Sequence, residues 1–229
     1  MSTAGETLPN IKELYQWEEN LSATDRRILE VAYKLYVVQQ AAGTCYNSAF
    51  FLCYYLKKHY DIDGYVEVGF INDGIHERTP SHAWYVHKGR ITDVSISRPL
   101  NPHLIRPGPL TILGRDLIAG WKWNYYPAQS ENGIEALGRL LTTPSDNPED
   151  TTSLAKQIHI RMSKIAKSKS MMRACLDRCP PGMTYRDLVE AIRHVPLEQE
   201  REETVHEVIG FNHAERPASQ TRFEDVFSS

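Results

Sequence analysis

The chain has 229 residues, 41% of them hydrophobic and 24% charged, which suits a globular protein able to bury a core. Its 26 Lys and Arg against 29 Asp and Glu leave a net charge of −3, so no global basic field is present to recruit nucleic acid. No apolar run approaches the ~18 residues of a membrane span, and residues 1–20 lack the apolar core of a signal peptide. A cytoplasmic location is the expectation. The four cysteines, Cys45, Cys53, Cys175 and Cys179, are too scattered for a disulfide framework and are expected as free thiols.

Residues 1–23 read as a polar arm with Ile11, Leu14 and Tyr15 in a short amphipathic segment and Trp17 tucked against the body. Ser22-Ala23-Thr24-Asp25 precedes Ile28, Leu29, Val31, Ala32, Leu35, Tyr36 and Val38, predicting a helix over 24–40 that Gly43 stops. A second helix starts at Thr44 or Cys45 and runs to Tyr60, with Ala49, Phe50, Leu52, Cys53, Leu56 and Tyr60 as its buried stripe. Residues 65–71 alternate as a strand, and 82–86 with 91–96 form a hairpin across Lys88-Gly89. The prolines of 98–109 mark an irregular crossing loop. Residues 110–117 fit a strand or a short helix, 121–126 a strand, and 128–141 a helix.

Residues 142–150, with Pro144, Asn147 and Pro148, form the expected linker between a core of 24–141 and a helical C-terminal region of 151–229. There 154–178 is a basic helical stretch, Pro180-Pro181-Gly182 breaks it, and Thr184-Tyr185-Arg186-Asp187 caps a helix to about His194. An acidic helix follows at 197–208.

Cys45 opens its helix, where unsatisfied N–H groups and the dipole stabilise a thiolate; Cys53 reads as packing. Taken alone, Cys45 is as readily a small packing residue after a glycine turn. A two-residue turn at Lys88-Gly89 pairs Val86 with Ile91 and Trp84 with Asp93, making His82 and Asp93 diagonal neighbours on one face. Such diagonals lie ~7–8 Å apart at the backbone, within side-chain reach, whereas a one-residue slip puts them on opposite faces. Sulfur, base and orienting carboxylate are what a thiol nucleophile needs.

Gly43-Thr44-Cys45 opening an apolar helix, then Ser81-His82-Ala83-Trp84-Tyr85-Val86, a short turn and Ile91-Thr92-Asp93-Val94-Ser95, resemble the transglutaminase-like branch of the papain-type cysteine enzymes. The match covers residues 40–97. The resemblance implies an α+β fold, a papain-like/transglutaminase-like core with a helix packed on an antiparallel sheet. It also implies a triad: Cys45 as nucleophile, His82 as base and acid, Asp93 as the orienting carboxylate. The activity implied is thioester-forming acyl transfer, with an amide hydrolase (protease, amidase or deamidase) acting on a protein, peptide or small amide. Transfer to an amine acceptor, of the transglutaminase or N-acyltransferase type, uses the same three groups. The arginine-rich cysteine motif of arylamine N-acetyltransferases and the calcium loop of animal transglutaminases are not found. The Cys45 N–H is one oxyanion donor; Gln39 and Gln40 are candidates for the second, Gln39 at a spacing similar to the papain-type glutamine. Trp84, Trp121 and Trp123 are aromatic candidates for a cleft wall.

No cofactor or metal is expected: His76, His82 and His87 with Cys45 or Asp93 lack tight zinc spacing, and Cys175 and Cys179 have no second pair. The stretch 154–178 offers a reading of another class, a non-catalytic module that binds nucleic acid or an acidic partner; the plainer reading is a solvated helix face.

Overall fold

The structure, a computed structural model, describes residues 16–103, 105–128, 131–141, 147–178 and 183–195. Helix α1 (Ala23–Val38) begins where the Ser22 hydroxyl accepts the Asp25 N–H at 3.1 Å. It ends at Gln39 rather than at Gly43; with φ 71, Gly43 instead turns the chain into the next helix. Helix α2 (Cys45–Tyr60) is buried from Asn47 to Cys53 and again at Tyr55 and Leu56, so nearly every side of it is covered. Tyr60, expected in the buried stripe, is 37% exposed because the last turn emerges from the core, where Arg27 covers its ring.

The strands are β1 (Tyr65–Asn72), β2 (Ser81–His87), β3 (Arg90–Thr92), β4 (Leu110–Ile112), β5 (Arg115–Ile118) and β6 (Asn124–Tyr126). One antiparallel sheet runs in the order β3-β2-β1-β6, and β4 pairs with β5. Mixed helix and antiparallel sheet make the chain α+β. Lys88 and Gly89 have φ 49 and 74, the mirror-image turn that suits a two-residue hairpin, and Val86 pairs with Ile91 as the spacing predicts. Strand β3 stops at Thr92 instead of Ile96, so Asp93 has no ladder partner in Trp84, which pairs with Glu67. The Asp93 carboxylate takes the Ser95 and Ile96 N–H groups that a continued strand would have offered, and its backbone bridges to Thr111. Residues 110–117 resolve as strand, turn, strand, with Leu113 and Gly114 both at positive φ.

Helices α3 (Glu131–Leu141), α4 (Pro148–Ala166), α5 (Lys169–Arg178) and α6 (Tyr185–Arg193) follow. Residues 148–150 belong to α4 and not to a linker, because the Asn147 side chain accepts the Glu149 N–H and Pro148 fits the first helical position. The basic stretch is two helices, broken where Ser168 accepts the Met171 N–H. Within it Arg173 pairs with Asp177 and lies over the Tyr185 ring. Thr184 and Asp187 form the capping box predicted for α6. Residues 142–146 of the expected linker, Cys179, the 180–182 break, the 197–208 segment and the 11–15 segment lie outside the described residues.

Ile158, Met162, Ile165, Met172, Leu176, Tyr185, Leu188 and Ile192 share one buried cluster with α1, α2 and the sheet. The C-terminal helices therefore complete the core instead of standing apart from it. Among the described residues no helix is long and apolar enough to cross a membrane. Leu176 is fully buried on α5, which packs against α2. Leu176→Ala should lower stability by about 2–5 kcal/mol. Tryptophan fluorescence and far-UV circular dichroism should report one coincident unfolding transition; two separated transitions would contradict a shared core.

Candidate active site

Cys45 is the first residue of α2. Thr44 holds the cap position but makes no capping bond, its hydroxyl donating instead to the Ala41 carbonyl at 3.3 Å. The first-turn N–H groups thus lack a capping side chain. His82, near the start of β2, donates from Nε2 to Asp93 Oδ2 at 2.6 Å. That leaves Nδ1 for Cys45, which lies close enough to favour a charge on the same imidazole. The three residues singled out from sequence are brought together, with His82 and Asp93 buried and Cys45 partly exposed.

Asp93 is surrounded by donors. Its Oδ2 also accepts the Tyr125 O–H at 3.0 Å, and its Oδ1 accepts the Ser95 N–H and O–H, each at 2.9 Å, and the Ile96 N–H at 3.2 Å. Burial opposes a charge on His82, but the charges and hydrogen bonds of Asp93 and Cys45 outweigh it and push the imidazole up to about 10. Burial likewise opposes the Asp93 carboxylate, yet His82 and the Ser95 donors hold it below its usual range. Burial and the neighbouring Asp93 raise the Tyr125 phenol, which therefore stays a donor. Cys53 is the packing thiol the sequence suggested: its sulfur lies 3.6 Å from the Gly64 carbonyl, and burial pushes it up to about 11.

The oxyanion candidates separate. Gln39 is buried beside the first turn of α2, its Nε2 donating to Asn47 Oδ1 at 2.8 Å, with the second amide hydrogen left over. Gln40 is exposed, and its amide folds back onto the Val37 carbonyl in the last turn of α1. Trp84, expected as a cleft wall, is buried at 4% exposed. It meets Tyr125 edge-on at 4.9 Å and packs over Gly69, where a Cβ would fall 2.7 Å from the indole. It therefore backs His82 from inside the core. Trp123 donates to the Arg106 carbonyl at 3.1 Å within a minor core with Ile71 and Ile96, and Trp121 lies against the Arg106 guanidinium.

His76 bonds Asp73 at 2.8 Å and His87 bonds the Asp63 carbonyl at 2.6 Å, so neither joins His82. Among the described residues no three His, Cys, Asp or Glu gather as a metal site. The sequence reading missed Tyr125, Ser95 and Arg98. Tyr125 arrives only because β6 pairs with β1. Arg98 donates to the Tyr36 and Gln39 carbonyls at 2.8 and 3.0 Å, while its own carbonyl accepts the Gly43 N–H at 3.1 Å. It ties the loop after Asp93 to the loop before Cys45.

Compared with protein-family profiles, curated proteins and solved structures, the chain matches none.

The two shifts give opposite pH limits. The stabilisation from Asp93 is present above its usual 3.8 and is lost as pH falls through its lowered folded value. The stabilisation from His82 is full below 6.5 and is lost as pH rises through about 10. Urea midpoints should therefore fall more steeply between pH 6.5 and 10 in the wild type than in His82→Gln; parallel slopes would show that this pair does not set the window.

Proposed function

We propose that this chain is a cysteine-dependent acyl-transfer enzyme of the transglutaminase-like, papain-type kind, working as an amide hydrolase on a protein, peptide or small amide. One observation carries the reading: the buried 2.6 Å His82–Asp93 bond, with Cys45 at the head of α2 near enough to favour a charge on the same ring. The packing of α2 on an antiparallel sheet agrees with the fold the resemblance implies.

In this reading the Cys45 sulfur attacks the amide carbon as a thiolate beside the His82 imidazolium. A C–S bond forms while the carbonyl electrons move onto oxygen, which the Cys45 N–H and the remaining Gln39 N–H receive. Collapse of that adduct breaks the C–N bond, the departing amine takes the His82 proton, and a thioester remains. Neutral His82 then removes a proton from water as water attacks the thioester; breaking the C–S bond releases the acid and returns the ion pair. Asp93 keeps Nε2 protonated, so Nδ1 is the nitrogen that works. An amine in place of water turns hydrolysis into transfer with every residue in the same role.

Iodoacetamide at neutral pH should alkylate Cys45 at least about tenfold faster than Cys53, and His82→Ala should slow Cys45 by about 100-fold. Cys45→Ala should abolish the fast label in peptide mass spectra. Equal labelling of Cys45 and Cys53, or a Cys45 indifferent to His82→Ala, would sink the reading.

A further inference from the structure

The residue after Cys45 and the residue before His82 are bonded to each other. The Tyr46 hydroxyl lies 2.7 Å from Ser81 Oγ, and Ser81 Oγ lies 2.8 Å from Nδ1 of His159 on α4. We propose that Tyr46, Ser81 and His159 are positioning residues that fix the separation of Cys45 from His82, a role that rests on the acyl-transfer reading above.

The argument is geometric. Cys45 and Tyr46 are consecutive in the first turn of α2, and Ser81 and His82 are consecutive at the start of β2. Neighbours along a strand point to opposite faces, so the Ser81 bond holds β2 from the side away from the His82–Asp93 pair. Displacing Tyr46 from Ser81 therefore moves a helix end relative to a strand end, and with them the sulfur relative to the imidazole.

His159 is itself fixed. Its ring lies on Phe70 with centroids 4.2 Å apart, its Nε2 faces Ser163 Oγ at 3.5 Å, and Phe70 pairs with Ser81 across β1 and β2. Burial lowers the His159 pKa and keeps the ring neutral at neutral pH, so that one ring nitrogen can accept. Burial first, and then the charge at Cys45, raises the Tyr46 phenol and keeps its proton in place. A pattern in which Tyr46 donates to Ser81 and Ser81 donates to Nδ1 of His159 satisfies all three groups. Through it the C-terminal helix α4 becomes part of the site.

The test uses the full chain and follows iodoacetamide alkylation of Cys45 and Cys53 in the same digest. Tyr46→Phe and His159→Ala should each slow Cys45 about tenfold, the scale of one lost hydrogen bond or a sub-ångström misplacement. Cys53, buried in the folded chain, should stay unlabelled and report that both variants fold. His159→Asn, whose Oδ1 stands near the Nδ1 position, should restore most of the lost rate, which repacking alone does not do. Wild-type rates in Tyr46→Phe and His159→Ala, or His159→Asn as slow as His159→Ala, would overturn the positioning role while leaving the reactive Cys45 intact. A wild-type Cys45 no faster than Cys53 would instead overturn the acyl-transfer reading and this role with it.

Discussion

An ionised carboxylate in a protein interior is expensive unless every lone pair is met, and Asp93 is 2% exposed. Much of the surrounding architecture supplies its donors. The chain abandons the β3 ladder so that Ser95 and Ile96 can bond Oδ1, and β6 joins the sheet edge so that Tyr125 can reach Oδ2. His82 contributes the one donor that can also carry a positive charge. The backbone of Asp93, bridged to Thr111, fastens the β4–β5 hairpin to the main sheet. Removing any one donor leaves part of a buried charge uncompensated, so the carboxylate constrains its neighbours more than they constrain it.

Helix α2 is the second constraint. It is covered by sheet on one side and by α1 and α5 on others, which fixes its axis and therefore the place of Cys45 at its head. Arg98 fixes the approach to that head, bonding the end of α1 and the Gly43 turn with one residue. The guanidinium also stacks on Tyr36 at 4.0 Å, so its planar fork is held while it bonds two carbonyls.

The parts legible in sequence were those governed by local period and short-range spacing. The α1 and α2 patterns, the Lys88-Gly89 turn with its Val86–Ile91 pairing, the nearness of His82 to Asp93 and the Thr184 capping box depend on residues near one another in the chain. The boundaries failed where a side chain outbid the backbone pattern, as Asp93 did at the end of β3, Asn147 at the start of α4 and Ser168 between α4 and α5. Gln39 and Gln40 were indistinguishable because the end of a helix decides which of two adjacent side chains turns inward. Tyr125 and His159 were invisible for another reason: each reaches the site across a long stretch of intervening chain, and no spacing rule links them to His82.

The late arrival of α4 has a consequence for how the molecule is made. A ribosome delivers Cys45, His82 and Asp93 well before residue 159, so the growing chain holds all three while the apolar sides of α2 and β1 still await their helical cover. Until α4 emerges, Phe70 lacks the His159 ring that lies on it, and Ser81 lacks its His159 partner. The order of synthesis thus separates the appearance of the thiol from the completion of its surroundings, and a partly made chain carries a cysteine without the setting that gives it a purpose.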